Sequence, residues 1–221
     1  MNYKVYYART ESGGHELLIL RKFESEGKTT FLAVDPVDLS TMVTEIPENR
    51  LQKLSWPQAK SHFSKTPFIK SLQLAGRQAI PLQNAGIDHA IPKEKGIALT
   101  VDLCPSHKPL DRLLFTDIFT EFRKIEEPAP VAVSVSGLWM IKHQDDLNWL
   151  KSLVQKKELE ITWINHSYHH EVNRLPLSEN FMLARNTDLD VEILENEKLM
   201  LTNGLVLRCS FVSRDWFPTS R

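Results

Sequence analysis

The chain has 221 residues, 42% of them hydrophobic and 25% charged, and 27 Lys and Arg against 28 Asp and Glu leave a formal net charge of −1. That balance argues against disorder and, without a basic surplus, gives nucleic acid no electrostatic footprint. Its longest apolar runs, such as PVAVSVSGLWMI, fall well short of the roughly 20 residues that a membrane-spanning helix needs.

The start, MNYKVYYARTESGG, lacks the apolar core and small-residue cleavage site of a secretory signal, so the chain as it stands is expected to be soluble and cytoplasmic. Two cysteines, Cys104 and Cys209, are too few for a disulfide framework and read as free thiols.

Residues 1 to about 35 alternate apolar and polar side chains around ESGGHE, which predicts a hairpin followed by a third strand at TTFLAV. From Leu51 to Ala75 the spacing turns helical, split into short pieces by Pro57 and Pro67. Prolines at 81 and 92 mark a connector, so residues 1–94 form an N-terminal extension of hairpin and short helices. Its histidines, His15, His62 and His89, are isolated and read as surface groups.

Residues 95–221 follow a different pattern. GIALTV (96–101), PVAVSV (130–135) and LEITWI (159–164) are short β-rich runs. Between them, Leu110 to Phe122 and Leu147 to Val154 recur at helical spacing. A third helix is expected around Leu189 to Met200, stopping at Asn203-Gly204, with LVLRCSFV (205–212) as a candidate fourth strand. Such alternation implies a parallel sheet, open or curled into a barrel, whose functional groups gather where the strands end. Three segments should share that rim: DLCPSH (102–107), SGLWMIKH (136–143) and NHSYHH (165–170).

His166 and His170 have a spacing that suits shared metal coordination, although an arbitrary H-x-x-x-H is more often a polar loop. Position at the end of a core strand favours the metal. His169 lies between them and reads as a bystander. Asp102 could serve a metal or a reacting proton, or simply cap a turn ahead of Pro105. Cys104 could bind zinc as a thiolate, or only fill a tight turn, which is the preferred reading.

The stretch ALTVDLCPS, followed some sixty residues later by INHSYHH, resembles the polysaccharide deacetylase family with its NodB-homology domain. Thr100-Val101-Asp102-Leu103-Cys104 stands at the family's T-F-D-D-G motif, and His166-Ser167-Tyr168-His169-His170 matches its H-[ST]-x-x-H motif in full. The resemblance covers roughly residues 95 to 204. It implies an α/β fold, a distorted (β/α) barrel that in this chain is incomplete on its C-terminal side.

By the same resemblance, the activity is metal-dependent removal of acetyl groups from an acetylated polysaccharide or oligosaccharide, and the location is the cell envelope. Asp102 would be the general base, with His166 and His170 as ligands of a divalent metal, most often zinc. Leu103 stands where the family has its metal-binding aspartate. The missing ligand is then Asp102 itself, ranked first, or Cys104 as a replacement. The family's arginine motif would fall near Arg214 and Pro218, and no histidine follows His170 to act as general acid. Two alternatives remain open: a noncatalytic carbohydrate- or metal-binding remnant, with Trp139 or Tyr168 stacking on sugar, and an unrelated α/β interaction domain with incidental histidines.

Overall fold

The computed structural model of the chain describes residues 1–76, 99–176 and 179–208, which fall into two compact units. One comprises residues 1–76 together with 176 and 208; the other comprises 99–175 and 179–207. The boundary expected near residue 94 lies outside the described residues, as do Pro81, Pro92, His89, Cys209, Arg214 and Pro218.

The first unit is a five-stranded antiparallel sheet, larger than the expected hairpin extension. Its strands are β1 (Lys4–Ser12), β2 (His15–Ser25), β3 (Lys28–Val34), β4 (Thr41–Thr44) and β5 (Gln52–Lys53), in the order β4-β3-β2-β1-β5. Gly13 and Gly14 turn the first hairpin with φ of 61° and 83°, the left-handed pair that a two-residue type I′ turn requires. Alternation along β2 divides its side chains between two cores. Leu18 and Leu20 pack with Trp56, Ala59, Phe63 and Ile69, while Leu17 and Ile19 pack with Ala8, Phe31 and Ala33.

The helical pattern expected from Leu51 begins later, because residues 52–53 pair with β1. Ser55 and Gln58 form a capping box that starts α1 (Trp56–His62), and Pro67 opens α2 (Pro67–Gly76). Both prolines thus occupy first turns, where their missing N–H costs no helical bond. His15 Nδ1 lies 2.7 Å from the buried Asp35 carboxylate and His62 Nε2 lies 2.8 Å from that of Glu16, so both imidazoles are engaged by acidic side chains.

The second unit is built on a three-stranded parallel sheet, β6 (Thr100–Leu103), β7 (Ala129–Val135) and β8 (Leu159–Asn165), in sequence order. Central strand β7 is buried at Val131, Val133, Ser134 and Val135, the covering of both faces that parallel sheets require. Helix α3 (Arg112–Phe122) starts at Asp111, whose carboxylate accepts from the Leu113 and Leu114 amides, and contributes Phe115 to the core. The segment read as a rim loop forms α4 (Gly137–Lys142), followed by α5 (Gln144–Gln155), which buries Leu147, Leu150 and Leu153. The third helix begins as a π-helical turn at Val191–Glu195 and continues as α6 (Asn196–Thr202), ending before Gly204 at φ 76°.

The expected barrel is not formed by the described residues. Closure requires each strand to pair on both sides. Here β6 pairs only with β7, and the outer edge of β8 carries one parallel bridge, Trp163 to Leu207, where a fourth strand was expected. The fold is therefore mixed α/β with one antiparallel and one parallel sheet. Among the described residues no helix is long and apolar enough to cross a membrane.

Leu150 is fully buried, and truncation should leave a cavity in the second unit. Leu150→Ala is expected to lower unfolding free energy by about 2–5 kcal/mol in denaturant titration, with little change in the denaturant slope.

Candidate metal centre

The three parallel strands end level with one another. Leu103 is in register with Val135, and Val135 with Asn165. The next residues, Cys104, Ser136 and His166, therefore leave the sheet side by side. Alternation along β6 sends Leu103 into the core, 6% exposed, and puts Asp102 and Cys104 on the opposite face. Leu103 thus belongs to the packing of the sheet.

Cys104 Sγ lies 3.4 Å from His166 Nε2 and 3.6 Å from His170 Nε2. One ligand atom from each of the three residues falls within 4.8 Å of the others. Tetrahedral zinc with ordinary bonds of about 2.05 Å to nitrogen and 2.3 Å to sulfur separates the two donors by about 3.6 Å. The donor set fits such an ion. Cys104, ranked behind Asp102 on sequence, supplies the atom that groups with both imidazoles.

Asp102 stands beside this group without joining it. Its carboxylate accepts the hydroxyl of Ser134, its register neighbour on β7. Its negative charge acts on Cys104, His166 and His170 alike. Burial, reinforced by His170, holds the His166 imidazole down at about 4 against the pull of Asp102. Burial likewise lowers His170, whereas burial and the Asp102 charge push the Cys104 thiol up. At neutral pH these directions make the group two neutral imidazoles and a protonated thiol.

Each loop is tied down by polar contacts that local sequence spacing does not reveal. His143 Nε2 donates to the Ser106 carbonyl at 2.8 Å, and Asp146 accepts from the Leu110 amide and the Arg112 side chain, which anchors the segment after Cys104. After β8, the first two amides of α4 take the histidine loop: Gly137 donates to the Ser167 carbonyl and Leu138 to that of Tyr168. Asn165 accepts the Ser167 amide and donates to the Ile193 carbonyl. Asn196 donates to both Asn165 Oδ1 and the Val135 carbonyl. Ser167 and His170 adopt left-handed φ of 66° and 52°, each costing about 1–3 kcal/mol that these contacts must offset.

The aromatic residues considered for sugar stacking have other work. Trp139 is buried against His143, and the Tyr168 ring covers Gly137. Phe181 instead approaches the centre, 4.8 Å from the His170 ring, and lines a cleft of about 940 Å3 with His169, Arg185, Asp188, Val191 and Glu192. His169 turns away from the two imidazoles, as expected, and donates Nδ1–H to Glu192 at 2.7 Å. No family model matches the chain, and no solved structure matches it.

A Cβ at Gly137 would lie 2.5 Å from the Tyr168 ring. Gly137→Ala should therefore displace the loop and cost about 1–3 kcal/mol in thermal or chemical denaturation. The protonation states give a second test. Zinc uptake at pH 7 should release about one proton, from Cys104, because the imidazoles are already neutral. Affinity should then fall about tenfold per unit as pH is lowered just below 7, and more steeply once the imidazoles begin to protonate. Calorimetry in buffers of different ionisation enthalpy reads the proton count, and Cys104→Ala should reduce it to near zero.

Proposed function

We propose that the second unit is a polysaccharide deacetylase-like, metal-dependent hydrolase that removes acetyl groups from a carbohydrate polymer, on an opened form of that family's distorted (β/α) barrel. The observation that carries this reading is the meeting of Cys104, His166 and His170 at the carboxyl ends of parallel strands, on the face shared by Asp102. A functional rim is where α/β sheets place their chemistry.

Two imidazoles and a thiolate form a borderline-soft donor set that suits zinc. Bound there, zinc would polarise an acetyl carbonyl and make water more acidic. Asp102 is the proton acceptor of this scheme, oriented by the Ser134 hydroxyl on one carboxylate oxygen. His166 and His170, held neutral by burial, keep their lone pairs for coordination. The cleft beside Phe181 offers room for the sugar chain carrying the acetyl group.

A second reading, a noncatalytic metal- or carbohydrate-binding protein of the same descent, is favoured by the Ser134 bond, which already engages Asp102. One experiment separates the two. The full chain is loaded with zinc, its metal content measured, and acetate release followed from acetylated oligosaccharides. Hydrolysis predicts about one zinc per chain and turnover lost in Asp102→Asn, with zinc retained. Zinc or sugar binding without acetate establishes the second reading, and a chain that takes up no zinc and binds no sugar overturns both.

A further inference from the structure

We propose that Glu192 is the positioning residue of the metal centre, holding the turn between His166 and His170 in its coordinating shape before any ion arrives. This inference rests on the metal-binding reading of that turn. Glu192 lies 22 residues beyond His170 in sequence, in the π-helical turn ahead of α6, and its side chain is only 10% exposed. One carboxylate oxygen accepts the Tyr168 and His169 amides at 3.0 Å each, and the other accepts His169 Nδ1–H at 2.7 Å. One buried anion thus satisfies three donors, all from the middle of the H-x-x-x-H segment.

The need for such an anchor comes from the turn itself. Its entry is secured by β8, since the His166 amide donates to the Val135 carbonyl. Its exit is not part of any strand or helix, and His170 sits at φ 52°. The direction of the His170 imidazole therefore depends on how the peptide units at 168 and 169 are oriented. Those are the units whose amides Glu192 holds. Short charge-assisted bonds from consecutive amides to one carboxylate fix a peptide orientation more tightly than single neutral bonds do. The π-helical turn contributes from the same place, because its Ile193 carbonyl receives Asn165, the last residue of β8. Side chains behind metal ligands commonly set metal affinity in this way.

The test is cobalt(II) titration of the full chain, followed by its visible absorption, with the metal-free melting temperature and amide exchange measured in parallel. Glu192→Ala is expected to bind cobalt about 10- to 100-fold more weakly than wild type, with Glu192→Gln between them. Exchange of the Tyr168 and His169 amides should quicken in the metal-free Glu192→Gln chain. Leu150→Ala is the control: it removes stability from the same unit and should leave cobalt affinity within about twofold of wild type. Should Glu192→Ala not fold, Glu192→Gln carries the comparison.

Wild-type affinity in both Glu192 variants would overturn the proposal while leaving the metal site intact, as would an equal loss in Leu150→Ala. Failure of the wild-type chain to bind cobalt would overturn the metal reading itself, and this inference with it.

Discussion

The candidate chemistry of this protein depends on the register of three parallel strands. Because β6, β7 and β8 end at the same level, the residues that follow them emerge together, and groups more than sixty positions apart in sequence become neighbours. A slip of one residue in β6 would send Cys104 to the core face and bring Leu103 to the rim. Register is held by apolar burial on alternate positions: Leu103 is buried, and Val133 and Val135 are fully so. The packing of the sheet and the placement of the candidate ligands are therefore one constraint.

A second layer of polar contacts converts that placement into a defined geometry. Asn165, Asn196 and Glu192 are each nearly or fully buried, and each makes two or three hydrogen bonds that tie together the histidine loop, the strand ends and the helical segment after residue 190. Buried polar groups are costly unless satisfied, and satisfied ones specify a single arrangement. The strained backbone at Ser167 and His170 persists because the surrounding contacts leave it no cheaper conformation. Gly137 completes the arrangement by having no side chain where the Tyr168 ring must lie.

The electrostatics follow from the same burial. Imidazoles partly removed from water give up their protons more readily, and a half-buried thiol beside a carboxylate holds its own more firmly. The centre accordingly waits as a nearly neutral group of donors, whose charge changes when the thiol ionises. Asp102 places a negative charge near both imidazoles, and Glu192 adds a second near His170, so the surroundings favour a cation among them.

Much of this was legible in the sequence, because strands and amphipathic helices are written in local periodicity. The three parallel strands, the helices between them, the first hairpin and the two histidines at the end of a core strand all follow from spacing and composition. Short or irregular pieces were not: β4 and β5 are brief edge strands, α4 carries no long apolar repeat, and the π-helical turn breaks the 3.6-residue period. The choice between Asp102 and Cys104 was also invisible, since both lie on the same face of β6 and only the paths of loops distant in sequence decide which atom meets the imidazoles. Sequence determined the two candidate histidine ligands and the strand that presents them. The tertiary structure decided the grouping, the buried carboxylate of Glu192 behind it and, among the described residues, an open sheet in place of a barrel, because each depends on contacts between residues far apart along the chain.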